Sequence, residues 1–292
     1  MRRWFPSRWI CAAVLALSVF ALLPKPIAAS HSWGPYHWAR ASAAIKNIPV
    51  RRLHSAGWVT RYNTAMTDWR KPAMTKIKPF TAATGGPSAA CTAPTGQVSS
   101  CDASYGNTGW LGLATIWISG SHIVRGNSKV NNTYFNQAAY NTIPWRQLVI
   151  CQEIGHNFGL GHVNVIFTNA NVGSCMDYTN DPDGGPGGAS ATDKSNMHPY
   201  AHDYALINSK HNHIGFDIPG QIAEGMEAEE EAAPRETEMP RAMEAYNPVV
   251  LSQFGTLKQK GDGGRTAVYE IQFASGWKAV NFVTWANATD GR

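Results

Sequence analysis

Long apolar runs, excess charge of either sign and cysteine are all scarce in this 292-residue chain, and each scarcity removes a class of protein. The longest apolar stretch, Ile10 to Leu23, is about 14 residues, short of the roughly 20 that a membrane helix needs. No later stretch approaches it, so no stable membrane association is expected of the mature chain. The formal net charge of +5 misleads, because Arg2, Arg3, Arg8 and Lys25 lie near the N-terminus with no acidic residue among them. Taking those four from 25 basic residues leaves 21 against 20 acidic ones, a net of +1 from residue 31 onward. Nothing in that balance suggests a nucleic-acid partner. The five cysteines include no C-x-x-C pair, which argues against a cysteine zinc cluster. No carboxylate pair suited to glycoside cleavage is evident either.

What is present begins with a leader. Three arginines precede the apolar run, and Pro26-Ile27-Ala28-Ala29-Ser30 supplies small residues for cleavage, so residues 1–29 read as a secretory signal peptide. The expected location is secreted, extracellular or periplasmic. Cys11 leaves with the signal, and the remaining four cysteines of an exported chain suit two disulfides, for which three pairings exist.

The chemistry concentrates in Gln152-Glu153-Ile154-Gly155-His156-Asn157-Phe158-Gly159-Leu160-Gly161-His162. Side chains four apart on a helix share a face, so Gln152 and His156 can point at one metal ion, with Glu153 beside them. A residue six further on cannot reach the same ion from the same helix. The chain must turn after His156, Gly159 supplies the freedom to do so, and His162 closes the site from outside. Zinc held by three protein ligands lowers the pKa of a bound water to about 7, and Glu153 is placed to act as general base.

This string resembles the H-E-x-x-H-x-x-G-x-x-H signature of the metzincin zinc endopeptidases at every specified position except the first, where Gln152 replaces histidine. The family's second mark, a methionine turn, is matched by Ser174-Cys175-Met176-Asp177-Tyr178. The resemblance spans roughly residues 35–215 and is closest to matrixin-like bacterial secreted enzymes. It implies Zn2+ as cofactor, Met176 as the floor of the site, Tyr178 near the metal, and an α/β (α+β) fold with a twisted mixed sheet, an active-site helix and a small β-rich C-terminal tail. It also implies that Gly109–Ala114 and Ser121–Val124 lie in an edge strand and its neighbour, the edge around Leu113–Trp117 pairing with an extended protein or peptide substrate. Many family members block their zinc with a propeptide cysteine, yet residues 31–90 contain none. Of the three cysteine pairings, Cys91 with Cys101 would close a short loop, and Cys151 with Cys175 would tie the helix to the methionine turn, with Cα atoms within about 7 Å.

The departure at Gln152 leaves three readings. Its side-chain oxygen ligates zinc more weakly than imidazole; or His198 or His202 completes the sphere; or the site is non-catalytic. Two functions follow. One is a secreted zinc-dependent endopeptidase with Glu153 as general base and Gln152, His156 and His162 as ligands. The alternative is a catalytically inactive metzincin scaffold acting as an extracellular binding protein.

The rest of the chain reads as a catalytic domain over residues 31–220, an acidic disordered linker over 221–245 and a β-rich segment over 246–292. Pro35–Arg40 suggests a strand, and Trp58, Tyr62, Met66 and Trp69 mark one face of a helix over Ser55–Trp69. Residues 81–109, rich in Gly, Ser, Thr, Pro and Asn, suggest irregular structure. Strands are expected over Trp110–Ser119 and near His122–Val130, and Asn141 or Thr142 caps the active-site helix with Pro144 in its first turn. Burial of Trp145, Leu148, Val149 and Phe158 would leave Gln152, Glu153 and His156 toward a cleft. Asp181–Ser190 reads as a plain loop or a structural Ca2+ loop. His198, His202, His211 and His213 follow in a helical stretch. Glu224–Glu244 carries eight glutamates and two arginines. Val249–Phe254, Thr266–Phe273 and Trp277–Trp285 alternate as strands do.

Overall fold

The strands up to residue 131 form a mixed sheet, parallel except for one pair, and the strands from residue 256 onward extend it antiparallel. The computed structural model describes residue 1 and residues 31–184, 194–215, 238–261, 264–274 and 276–286. The expected signal peptide and most of the acidic linker lie outside the described residues. Strands β1 (His37–Trp38), β2 (Lys46–Leu53), β3 (Ile77–Gly85), β4 (Val98–Ala103), β5 (Trp110–Ser119) and β6 (His122–Asn131) come first, followed later by β7 (Thr256–Lys260), β8 (Thr266–Gln272) and β9 (Trp277–Trp285). They form one nine-stranded sheet in the order β3-β2-β4-β6-β5-β9-β8-β7, with β1 alongside the start of β6. The β1/β6, β2/β3, β2/β4 and β4/β6 pairs are parallel, and the other pairs are antiparallel. The α+β class expected from the sequence is therefore the class observed.

Two helices cover one face. Helix α1 (Ala56–Asp68) starts after the N-cap Ser55 and buries Trp58, Tyr62, Ala65 and Met66, which is the face its aromatic spacing predicted. After the short α2 (Asn132–Phe135), helix α3 (Ile143–His156) begins where Thr142 accepts a hydrogen bond from the Trp145 amide, with Pro144 in the first turn where its missing N–H costs nothing. It ends at Asn157, and Gly159, at φ +80°, makes the turn that follows. Trp69, Val149, Ile150, Ile154, Phe158 and Met176 pack with β5 residues Leu111, Ala114 and Ile116 in the main core. α4 (Ala201–Lys210) and α5 (Arg241–Ala245) complete the helices of the described residues.

Several expectations are corrected. Residues 81–109 are not all irregular: β3 runs to Gly85 and β4 occupies Val98–Ala103. Polar residues suit β4 because Ser99, Ser100 and Asp102 are buried and hydrogen-bonded, the carboxylate accepting from the Ser55 amide and hydroxyl, Asn132 and His54. The first strand shrinks to two residues, and Val249–Phe254 holds a 3-10 turn at Leu251–Gln253 in place of a strand. Residues 241–245, assigned to the linker, form α5, where Met243 is buried with Trp117, Trp277 and Ala279. Of the four late histidines only His202 lies within α4.

The largest correction concerns β5, which is not an edge. β9 pairs with it along nearly its whole length, from Trp110↔Trp285 to Ser119↔Trp277. Val268, Val280, Phe282 and Ala286 belong to the main core, while Trp110, Leu113, Phe254 and Trp285 form a second cluster on the opposite face. Lys129 crosses from β6 to donate to Asn247 Oδ1 (2.6 Å) and the Pro248 carbonyl (2.8 Å). The C-terminal segment is β-rich, as expected, and it is built into the sheet.

Candidate functional site

Helix α3 delivers Gln152, Glu153 and His156, and the turn at Gly159 returns His162 to within 4.8 Å of His156, ring centre to ring centre. The sequence-predicted histidines are thus brought together. His156 donates from Nδ1 to the Leu160 carbonyl (2.8 Å), which fixes the tautomer and leaves the Nε2 lone pair open. His156 Nε2, His162 Nε2 and Glu153 Oε2 are all buried without a hydrogen-bond partner. Burial drives the basicity of His156 down to about 3 and that of His162 well below its ordinary value, with the charge of His31 acting in the same direction on both.

Packing accounts for the glycines around the motif. A Cβ on Gly155 would lie 2.5 Å from Met176 Sδ and 2.7 Å from the Trp69 ring, so the helix can sit on both only with glycine there. A Cβ on Gly112 of β5 would lie 2.2 Å from Glu153 Oε1. Met176 is fully buried and packs against α3 at Gly155. Ser174 donates to Asp203 Oδ2 (2.7 Å) and accepts from the Met176 amide (2.9 Å), which fixes this turn on α4. Tyr178 stacks near Phe167, with its ring centre 6.4 Å from that of His162. Burial raises the Tyr178 phenol above its ordinary range.

Cys151 and Cys175 are disulfide-bonded with Cα atoms 5.9 Å apart, and Cys91 and Cys101 likewise at 5.7 Å, so both expected pairings occur. The first of these bridges places Gln152 against the turn. Gln152 Nε2 donates to the Cys175 carbonyl (3.0 Å) and the Asp177 carbonyl (3.2 Å), so its amide nitrogen faces the turn and Oε1 faces away.

Oε1 meets a residue that sequence reasoning missed. Thr284 Oγ1, on β9, lies 2.9 Å from Gln152 Oε1 and 2.9 Å from Glu153 Oε1. A hydroxyl carries one proton, so when it donates to Gln152 Oε1 the contact to Glu153 requires a proton on Glu153. Burial raises the Glu153 carboxyl well above its ordinary value, only partly opposed by Thr284 and the Ala114 backbone, which is consistent with a protonated acid. Phe282, also on β9, stacks on His156 at 4.3 Å and 7°. No local signal could have found either residue, because the β5/β9 pairing that delivers them joins segments over 150 residues apart.

The expected cleft is therefore closed. Gln152, Glu153 and His156 are fully buried, whereas partial exposure was expected, because β9 lies over them. His198 does not join the site: its Nδ1 meets Asp68 Oδ2 at 2.5 Å. His202 lies beside His31, ring centres 5.1 Å apart, in a group with Asp203 that could hold a metal ion. Asp181–Gly184 is the described part of the proposed calcium loop, and it shows a turn from Asp181 to Gly184.

No family model matches the chain, and no curated protein matches it.

Proposed function

We propose that the chain is an exported zinc-dependent endopeptidase of the metzincin type, seen with its own C-terminal strand over the site. One observation carries this reading: His156 Nε2 and His162 Nε2, on rings whose centres are 4.8 Å apart, are both buried without a hydrogen-bond partner, as is Glu153 Oε2 on the same helix as His156. A buried polar atom without a partner costs about 1–3 kcal/mol, so two neighbouring imidazoles left this way call for a group that satisfies them. A cation fits the donors, since both imidazoles offer lone pairs and one is oriented by a backbone carbonyl. Gln152 Oε1, turned away from the Cys175 and Asp177 carbonyls, would give the third ligand. Its neutral amide is a weaker donor than imidazole, so the site would hold zinc less tightly than three histidines do. Zinc bound there supplies Lewis-acid chemistry, polarising a carbonyl and making water acidic.

The residues of the chain then divide the work. Glu153 takes a proton from water and passes it to the leaving amine. Met176 and the Cys151–Cys175 bridge hold the ligand helix against the turn. β5, once released from β9, pairs with an extended protein or peptide substrate. Export is supported by the N-terminal leader pattern and by two disulfides, which persist in oxidising compartments. No helix among the described residues is long and apolar enough to cross a membrane.

A second reading, an inactive scaffold that binds a partner outside the cell, is favoured by one feature: β9 contributes Val280 and Phe282 to the main core. The test is cleavage of a generic unfolded protein by the zinc-loaded full chain, by a Phe282→Ala/Thr284→Ala variant that loosens β9, and by each with Glu153→Ala added. The loosened variant should cleave faster than the native chain, a chelator should abolish the cleavage, and Glu153→Ala should lack it. A folded, zinc-loaded, loosened variant that cleaves nothing would establish the scaffold reading.

A further inference from the structure

Three histidines outside the candidate catalytic motif, from three separate parts of the chain, meet beside the N-terminal strand. His37 on β1 and His122 on β6 are register partners in a parallel pair, so both side chains leave the same face, with ring centres 4.6 Å apart. His213, just beyond α4, brings a third ring to 5.6 Å from His37 and 5.9 Å from His122. One nitrogen of each ring lies within 4.8 Å of the other two. We propose that His37, His122 and His213 form a second metal site, independent of the candidate catalytic one, that takes a borderline divalent cation of the zinc class.

The donor chemistry selects the ion. Three imidazoles without a carboxylate suit zinc, nickel or copper, and do not suit calcium or magnesium, which take oxygen ligands. The His37 Nδ1 lies 2.7 Å from the Pro35 carbonyl and donates to it, which leaves Nε2 as the lone-pair nitrogen. Ligands of one tetrahedral zinc stand about 3.4 Å apart, given Zn–N distances of about 2.0–2.1 Å, so a small inward movement closes the site. His213 is exposed and free to make that movement, and it leaves the fourth position to solvent. The segment that carries it is already anchored, since the Gly215 amide donates to the Arg40 carbonyl (3.0 Å).

Neighbouring groups show why these three and not others. His211 is also near, but its Nε2 accepts from the Trp38 amide and its Nδ1 faces the Ile207 carbonyl, so both nitrogens are used. In the His31, His202 and Asp203 group, His31 Nδ1 lies 3.1 Å from the Gly161 carbonyl and Nε2 lies at ion-pair distance, 3.1 Å, from Asp203 Oδ1, so both nitrogens already face a partner. Arg40 and Lys210 act electrostatically on His211, whose ring centre is 6.0 Å from that of His37, and like charges there would oppose a cation. The Arg40 guanidinium is turned to the carbonyls of Ala43, Ala44 and His211, and the Lys210 ammonium to Ser32 and Gly34.

A metal at this place would clip the N-terminal segment to the strand start and to the exit of α4. That segment braces the loop leading to His162: the Trp33 amide donates to the Gly159 carbonyl, the Gly161 amide donates to the His31 carbonyl, and Tyr36 O occupies the space a Cβ on Gly159 would need.

The experiment is zinc binding to the folded, tag-free full chain, with stoichiometry read by elemental analysis after dialysis. It starts from a His156→Ala/His162→Ala variant, which removes the candidate catalytic site. That variant should retain one zinc per chain, and adding the surface substitution His213→Ala, or separately His122→Gln, should remove it. A doubly substituted variant that binds no zinc, or one whose zinc survives His213→Ala, overturns the proposal. Neither outcome depends on whether the native chain cleaves peptides.

Discussion

Gly112 shows how much of the site rests on single atoms. A methyl group added there would sit 2.2 Å from Glu153 Oε1 and 2.7 Å from Val149, both in a closed core. Gly112→Ala should therefore cost about 1–3 kcal/mol of stability, as overpacked cores do, measured as a lowered denaturation midpoint with an unchanged slope. Asp102 makes the same point for charge. It is fully buried, and burial alone would raise its pKa, but hydrogen bonds from His54, Ser55 and Asn132 outweigh burial and hold the pKa below its ordinary value. Its stabilising contribution is complete above the unfolded value of about 3.9 and is lost as pH falls through the lower folded value. His54 is also depressed, mainly by burial, so the unfolded chain takes up its proton first and stability begins to fall below about pH 6.5. Asp102→Asn should cost roughly 3 kcal/mol at neutral pH and flatten the acid limb of a stability profile below about pH 4. An unaltered profile would show that this carboxylate is not what acid titrates.

Elements add constraints that single residues cannot. α3 reads well from sequence because everything that starts and stops it is local: Thr142, Pro144 and Gly159 lie in or beside it. Its anchoring is not local. The Cys151–Cys175 bridge closes 24 residues of chain and fixes Gln152 against the carbonyls of Cys175 and Asp177. Replacing both cysteines by alanine should lower stability by about 3 kcal/mol in denaturant unfolding. It should also release the glutamine amide, weakening zinc retention at the candidate catalytic site. β4 was illegible for the opposite reason: its serines and aspartate look like loop residues, and they serve a strand only because His54, Ser55 and Asn132 are there to bond them.

At the scale of the whole molecule, the decisive fact is that β9 continues the sheet. Its side chains divide among three clusters, Val280 and Phe282 with the main core, Val283 and Trp285 in a second, and Trp277 and Ala279 with Met243 in a third. Asn281 adds a polar link, accepting from Thr115 and donating to the Phe254 carbonyl. In the native chain residues 277–285 should therefore exchange their amide hydrogens nearly as slowly as 122–131, and in the Phe282→Ala/Thr284→Ala variant 277–285 alone should exchange faster. Hydrogen exchange followed by mass spectrometry checks this. Fast exchange confined to 277–285 in the native chain would instead describe a strand that leaves β5 by itself, which is the motion that substrate access requires.

The sequence by itself determined the features whose physics is local in the chain: the start and turn of α3, the i, i+4 face shared by Gln152 and His156, and the aromatic face of α1. It also limited the disulfides to three pairings, and the tertiary structure selected the expected one. Only the tertiary structure decided that β5 has no free edge, that Thr284 and Phe282 cover Glu153 and His156, and that His37, His122 and His213 meet. Strand pairing between distant segments leaves no periodic trace in either one, since an alternating strand looks the same whichever neighbour it joins.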